Sequence, residues 1–368
     1  MNRREWVRAA MAAALPAPVS GVEKGRVAVE QVRLHLRHIW TTTMSSSEYR
    51  DTIHVRLSRD GLTGVGEGAP IARYRESAQS AEQAIRSVSE LLAASDWRYY
   101  DSMLRQVFAR FDGQYAARAA IDIALLDWLA QKRGVPLYEF FGLDPAGTPV
   151  TSFSIGIDTP EITRMKVREA EAYPVLKIKV GLDTDEATLE AVRSVTRKPL
   201  RVDANEGWKS KEEAVRKINW LEKLGVELIE QPMPASMLEE MNWVRARAHM
   251  PIIADEACLH PQDVAKIARY FDGVNIKLDK CGGLLEAGRM IQAAKSLGLK
   301  TMLGCMISSS VSITAAAHLS PAVDYADLDG HLLIRNDPYE GIRVLDGKLI
   351  LPGRPGLGLQ ERGIFRRL

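Results

Sequence analysis

Long apolar runs are missing from this chain: nowhere do about twenty consecutive apolar residues occur, so no helical membrane span is expected. A basic stripe is missing too. Lys and Arg number 49 against 47 Asp and Glu, for a net charge of +2, and this balance argues against nucleic acid as a partner. No low-complexity tract points to a disordered body. Cysteine is scarce: Cys258, Cys281 and Cys305 are an odd number without CxxC spacing, which excludes a disulfide framework and a zinc knuckle and leaves packed thiols. No Gly-x-Gly-x-x-Gly follows a strand-like run, so a dinucleotide-binding fold has no support. What remains, 46% apolar and 26% charged residues, is the composition of an ordinary globular enzyme. At 368 residues the chain accommodates a barrel of about 250 residues and a smaller second domain.

Residues 1–22 read differently from the rest. MNRREWVRAAMAAALPAPVSG has a basic start, an Arg3-Arg4 pair, a short Ala-rich run and small residues before Gly21. It resembles a twin-arginine export signal, a route to the periplasm that carries folded proteins. Because Pro16 and Pro18 interrupt the run, the alternative is an N-terminal extension on a cytoplasmic protein.

Residues 23–140 are expected to form an α+β domain. Apolar and polar residues alternate from Arg26 to about Trp40 and from Thr52 to Glu67, with Asp60-Gly61 as a turn, and this predicts an antiparallel meander. Helical periodicity follows to Lys132, as in Ala116, Ala120, Ile123, Leu126 and Leu129, and ends at Gly134 before Pro136. Residues 150–334 change texture. Eight β-rich runs (SFSIG, LKIKV, LRVDA, ELIEQ, PIIAD, GVNIKL, KTMLG and DYADLD) alternate with seven amphipathic segments, which predicts an α/β parallel sheet that closes into a barrel. Residues 335–368, with PGRPGLG, contain no further unit and are expected to pack back on the first domain.

Charged residues recur at the ends of these runs. The second ends in Lys177 and Lys179, the third in Asp203, the fourth in Glu230, the fifth in Asp255 and the sixth in Lys277. In a closed parallel barrel these ends converge on one pocket. A single acid there is readily a salt-bridge partner or a helix cap. Three in successive strands repel one another unless a hard cation takes their oxygens. With no His or Cys at the equivalent positions, Mg²⁺ is expected, with Mn²⁺ as the alternative, rather than Zn²⁺. Lys177 and Lys179 share one side of the sheet, and packing alone does not turn two ammonium groups inward. A lysine acts as a base only when its pKa, ordinarily about 10.4, is lowered by desolvation and nearby positive charge. Lys177 and the metal would supply that charge to Lys179. Lys277 arrives from across the barrel, so two bases would meet opposite faces of one carbon, an arrangement suited to epimerisation or racemisation. The alternative for Lys277 is a counter-ion to the acids.

The ordered set KIKVG, RVDANEGW, LIEQP, PIIADE, NIKLDKCGG and GCMIS resembles the enolase superfamily, in particular its muconate lactonising branch, over about residues 25 to 360. The resemblance implies a modified (β/α)7β TIM barrel with an N-terminal α+β capping domain completed by the C-terminal tail. It implies Mg²⁺ on Asp203, Glu230 and Asp255, Lys179 and Lys277 as paired acid and base, and Lys177 against the substrate carboxylate. Loss of the α-proton would then give an enediolate neutralised by the metal. Asp327 and Asp329, in ADLDG, resemble the acid pair with which dipeptide epimerases bind the free ammonium of an L-amino acyl residue; a turn or cap beside Gly330 is their alternative role. The implied activity is epimerisation of a dipeptide at the α-carbon of its C-terminal residue, by a chain expected to form a homo-oligomer.

Two departures bear on the substrate. The loop that closes over such sites corresponds to Trp40 through Arg50, and where Ala-Glu epimerases carry an arginine for the glutamate this chain has Ser45, with Arg50 as a substitute. GCMIS continues with Ser308 and Ser309 where the branch commonly has an acid. Ser154, on the first run, stands where a small hydroxyl residue often contacts substrate. Competing readings are an o-succinylbenzoate synthase, N-acylamino acid racemase or muconate cycloisomerase on the same scaffold. A Schiff-base aldolase would not need three strand-end acids. A non-catalytic periplasmic carboxylate binder would not need the bases.

Overall fold

The computed structural model describes residues 23–363; the export-like leader over residues 1–22 lies outside them. Strands β1 (Arg26–Thr41), β2 (Ser46–Arg59) and β3 (Leu62–Gly68) form an antiparallel meander. Asp60 (φ 52°) and Gly61 (φ 73°) are the two central residues of the β2–β3 turn, which suits the paired positive φ that a tight hairpin needs. Helices α1 (Ala78–Ala94) and α3 (Tyr115–Arg133) pack on this sheet, and α2 (Tyr100–Phe108) packs against those two helices. Contact between α3 and β3 is unusually close, and the sequence shows why. Gly64, Gly66 and Gly68 present one bare face of the strand to Ala124, Ala120 and Ala116, and a Cβ added at Gly66 would stand 2.0 Å from the carbonyl oxygen of Ala120. Two strand residues advance about 6.6 Å and four helix residues about 6 Å, so the rows stay in step. Gly66→Ala is expected to cost about 1–3 kcal/mol by forcing the helix off the sheet; an unchanged melting temperature would show that the contact yields.

All eight expected barrel strands are present: β4 (Phe153–Ile155), β5 (Leu176–Lys179), β6 (Leu200–Asp203), β7 (Val226–Glu230), β8 (Ile252–Ala254), β9 (Gly273–Ile276), β10 (Lys300–Gly304) and β11 (Tyr325–Asp327). Their hydrogen-bonded order follows the sequence and every pairing is parallel. The ring is closed by a parallel bridge between Thr151 and Ala326 and by the Ser152 amide, which donates to the Ala326 carbonyl at 3.2 Å. Helices α4 (Pro160–Glu169), α5 (Asp185–Val195), α6 (Lys211–Lys223), α7 (Leu238–Arg245), α8 (Pro261–Ile267), α9 (Leu284–Ser296) and α10 (Ser310–Leu319) fall one between each pair of strands. The expected eighth run is shorter than its sequence. The strand stops at Asp327, and Asp329 (φ −97°, ψ 1°) already belongs to the turn before Gly330–Leu333.

Buried polar ties fix the capping domain on the C-terminal rim of the barrel. Glu67, at the end of β3, accepts from the Ser309 hydroxyl at 2.6 Å, from the Ser309 amide and from the Ser312 amide, so an acid of one domain caps α10 of the other. Asp122 of α3 accepts from the Leu284 amide at the start of α9 at 2.7 Å, and Asp279 of the barrel accepts from the Ala69 amide at 2.7 Å. Burial pushes both carboxyls up to about 7. The tail returns as expected: the Leu137 amide donates to the Gly356 carbonyl at 2.9 Å, the Leu357 amide to Asp127 at 2.7 Å, and Arg56 pairs with Glu361 at 2.8 Å. Among the described residues, no helix is long and apolar enough to cross a membrane.

Candidate active site

Parallel strands put all their C-terminal ends on one rim, and there the singled-out residues meet. Lys179 and Asp203 are register partners, as are Asp203 and Glu230; Asp255 and Lys277 stand one residue past β8 and β9. The Lys179 ammonium donates to Asp203 Oδ2 at 2.5 Å and the Lys277 ammonium to Asp255 Oδ2 at 2.8 Å. In a closed ring of eight, β5 and β9 are four strands apart in either direction. The two lysines therefore face each other across the barrel.

Each ion in this cluster is buried, which is costly unless it is paired. Burial opposes the ionised form of Asp203, but Lys179 and Lys177 prevail and hold its carboxyl well below the usual range. Lys277 and Lys280 do the same for Asp255. Glu230 is less well served: burial, then the charge of Asp203, push it up to about 7. Burial and Asp255 push Glu256 up to about 8, and its Oε2 and the neighbouring Asn205 Oδ1 are buried without partners. Asp203, Glu230 and Asp255 each offer a carboxylate oxygen, and the three lie within 4.8 Å of one another. All are hard oxygen donors, and two members of the surroundings carry carboxylate charge that the protein alone stabilises poorly. The residues fit Mg²⁺ or Mn²⁺.

Lys177 stands among the carboxylates of the cluster. Two residues before Lys179 on the same strand, it lies deeper, with its ammonium 2.6 Å from Asp327, 2.7 Å from Glu230 and 3.1 Å from Asp203. Burial works against its charge, yet these three carboxylates raise its pKa well above the ordinary value. Lys177 thus binds the acids together from below. Asp327 and Asp329 are separated by the same geometry. Asp327 is spoken for by Lys177 and by the Ser152 hydroxyl, which donates at 2.7 Å. Asp329 accepts from the Ser154 amide at 2.6 Å and has no cation within ion-pair reach among the described residues; burial and Asp327 push it up to about 7. Ser154 therefore meets Asp329 through its backbone.

Above the cluster lies a cavity of about 650 Å³, with Lys179, Lys277 and Asp255 on its floor and Trp40, Ser45 and Arg50 of the capping domain among its walls. The β1–β2 hairpin is latched over it: the Thr43 hydroxyl donates to the Asn205 carbonyl at 2.7 Å and the Ile157 amide to the Thr41 carbonyl at 3.0 Å. Sequence reasoning missed Lys280. Its ammonium donates to the Asp255 carboxylate, to the Asp255 carbonyl at 2.7 Å, to Asn275 at 3.0 Å and to Cys258 at 3.2 Å, and so fixes the Asp255 carboxylate from behind. Lys280 sits in NIKLDKCGG, but on the single helical turn Leu278–Cys281 rather than on a strand. Of the packed thiols, Cys258 and Cys281 are buried and Cys305 borders the cavity.

Comparison with known proteins agrees with this geometry. Residues 25–142 match the mandelate racemase / muconate lactonizing enzyme N-terminal domain, and residues 162–362 the enolase C-terminal domain-like family. An L-Ala-D/L-amino acid epimerase of Pedosphaera parvula is 44% identical over 338 residues, covering 89% of this chain and 97% of that protein. An L-Ala-D/L-Glu epimerase of Bacteroides thetaiotaomicron is 41% identical over 329 residues, covering 89% and 86%. The crystal structure of a dipeptide epimerase from Enterococcus faecalis, complexed with Mg and L-Leu-L-Tyr, superposes with a TM-score of 0.86 at 32% identity, covering 92% of this chain and 100% of that one.

Proposed function

The chain belongs to the enolase superfamily, in its mandelate racemase and muconate lactonizing branch, and from that membership and the geometry of its site we infer that it is an isomerase that epimerises dipeptides at the α-carbon of the C-terminal residue. The observation that carries the reading is the opposition of Lys179 and Lys277 on the floor of the cavity, with Asp255 beside them and Asp203 and Glu230 converging on it from beneath. One lysine removes the α-proton from its side while the other, charged, returns a proton from the opposite side, which inverts the centre. Asp203, Glu230 and Asp255 would hold Mg²⁺, which would supply positive charge beside the substrate carboxylate when the α-proton is removed. Lys177 and Lys280 hold those carboxylates in place, and the latched hairpin limits access of water to the exposed carbanion.

Asp329 is the group in this reading for the substrate's free ammonium, with Asp327 fixed to Lys177 beside it and Ser154 as backbone support. A buried carboxylate without a cation is a strong partner for an ammonium ion. In D₂O with Mg²⁺, proton NMR on a dipeptide panel is expected to show deuterium entering the C-terminal α-position, faster for free dipeptides than for their N-acetylated forms. Asp329→Asn should shrink that preference by about 10-fold or more. Exchange confined to N-acylated substrates would move the chain to the N-acylamino acid racemases, and no exchange on either would end the isomerase reading.

Export through the Arg3-Arg4 leader is part of the same proposal, supported by the residue pattern of positions 1–22 and by the fit between a route that carries folded proteins and a three-carboxylate site suited to a metal. So is assembly into a homo-oligomer, which the exposed Ile39, Met44 and Tyr49 around the hairpin favour.

A further inference from the structure

The spacing of the three carboxylates depends on a residue that carries no charge and does not line the cavity. Gln231 follows Glu230 directly and is fully buried. Its side-chain oxygen accepts from the Asp255 amide at 2.9 Å and from the Ala257 amide at 3.1 Å, and its side-chain nitrogen donates to the Met233 carbonyl at 2.8 Å. Those partners fix which way the amide faces, because two N–H groups need the oxygen and a carbonyl needs the nitrogen. The backbone is used as fully. Its N–H donates to the Ile253 carbonyl at 3.0 Å, and its carbonyl accepts from the Glu206 amide at 2.8 Å. One residue thus joins the loops that follow β6, β7 and β8, the strands that deliver Asp203, Glu230 and Asp255.

The strand ladder does not reach that far. Pairing between β7 and β8 ends at Glu230 and Ile253, two residues before Asp255. Beyond that point the Gln231 side chain replaces the ladder, and without it the Asp255 and Ala257 amides would lose their acceptor, at the cost of unmet buried donors. Lys277 and Lys280 grip the Asp255 carboxylate itself; Gln231 holds the backbone from which that carboxylate hangs. It does so at φ 35°, in the left-handed region that a residue with a long side chain rarely adopts. Backbone strain of this kind persists only where the surroundings hold it, and it gathers at functional sites.

We propose that Gln231 is a positioning residue for the metal centre: it holds the Asp255 loop at a set distance from Glu230, and so sets the affinity of the site for Mg²⁺. The inference rests on the metal-dependent reading above and deepens it. A site whose ligands are already placed loses less conformational freedom when the ion binds, and contacts that orient ligands from behind are worth about 10–100-fold in metal affinity.

The test measures Mg²⁺ binding by calorimetry on the full chain after treatment with EDTA. Gln231→Asn suits a left-handed backbone better than glutamine does, but its amide is one methylene too short to reach Asp255 and Ala257. Its Mg²⁺ dissociation constant is expected to rise by roughly 10–100-fold. Gln231→Glu keeps the acceptor oxygen and is expected to bind Mg²⁺ at least as tightly as wild type. Unchanged affinity in Gln231→Asn overturns the proposal, as does an equal loss in both variants, the mark of a residue that serves folding alone. Hydrogen exchange on wild type without metal gives a reading that no variant's folding affects. The Asp255 and Ala257 amides should be protected like those of the barrel strands, and amides that exchange at surface-loop rates would overturn the pre-set spacing. A wild type that binds no Mg²⁺ overturns the metal centre and this inference with it. Mg²⁺ binding that depends on Gln231, but without α-proton exchange on any dipeptide, overturns the epimerase reading and upholds the role of Gln231.

Discussion

Lys179→Ala and Lys277→Ala are each expected to abolish epimerisation in both directions, yet to retain α-proton exchange on opposite stereoisomers. Inversion needs a base on one side of the carbon and an acid on the other, and the side chains sit on β5 and just after β9, four strands apart around a closed ring of eight. Removing one leaves a chain that still washes deuterium into the isomer whose proton faces the surviving lysine, but returns it to the same face. The loss in kcat for epimerisation should be about 10²–10⁴-fold in either direction, the usual contribution of a positioned acid or base. Each alanine also leaves a buried carboxylate with one fewer cation: Asp203 keeps Lys177 at 3.1 Å, and Asp255 keeps Lys280. That residual pairing is why the variants are expected to fold. Proton NMR in D₂O with each pure stereoisomer reads the outcome. If both variants keep exchange on the same isomer, or both keep none while remaining folded and able to bind Mg²⁺, the two lysines do not act from opposite faces.

Barrel strands were legible because each is a short, fully buried apolar run that ends in an ion, and because ions on parallel strands share one rim by necessity. Lys179, Asp203, Glu230, Asp255 and Lys277 needed only that rule. The Asp60-Gly61 turn and the Ala-rich face of α3 were legible for equally local reasons. Contacts that join distant segments were not. The cap that Glu67 places on α10 spans 242 positions, and nothing near Ser309 announces it. Lys280 was hidden because it follows its strand by a helical turn, where a lysine ordinarily points to solvent. Asp329 was assigned to the strand by alternation with Asp327, but Gly330 packs against the Met306 carbonyl and Ile313, and the chain turns there before the strand extends that far. Arg50 and Ser45 both border the cavity, as the hairpin's correspondence suggested.

Glu230→Gln is expected to remove the response of the protein to Mg²⁺ while leaving the metal-free fold largely intact. The carboxylate is fully buried, with Lys177 on Oε2 at 2.7 Å and the Asn275 amide on Oε1 at 2.8 Å. Glutamine keeps an oxygen for Lys177. Its NH₂ group would meet the Asn275 amide nitrogen, but Asn275 Oδ1 is buried without a partner, so a flip of the asparagine amide satisfies both groups. The substitution also takes away a carboxylate that burial and Asp203 already push up to about 7; a neutral side chain there does not forfeit a well-stabilised charge. Mg²⁺ loses one of three anionic ligands and the convergence that selects a hard dication. For wild type, metal at 100 times its dissociation constant should add about 2.7 kcal/mol of stability, read as a rise in melting temperature that EDTA reverses. At the same Mg²⁺ concentration the variant should show little of that rise, and its kcat should fall by about 10³-fold or more, as expected when charge stabilisation at the reacting carboxylate is lost. Mn²⁺ should restore the chelated wild type, given its preference for the same oxygen donors. A variant that melts at the wild-type temperature without metal, yet gains the full Mg²⁺ stabilisation, would place the ion away from the Asp203, Glu230 and Asp255 oxygens.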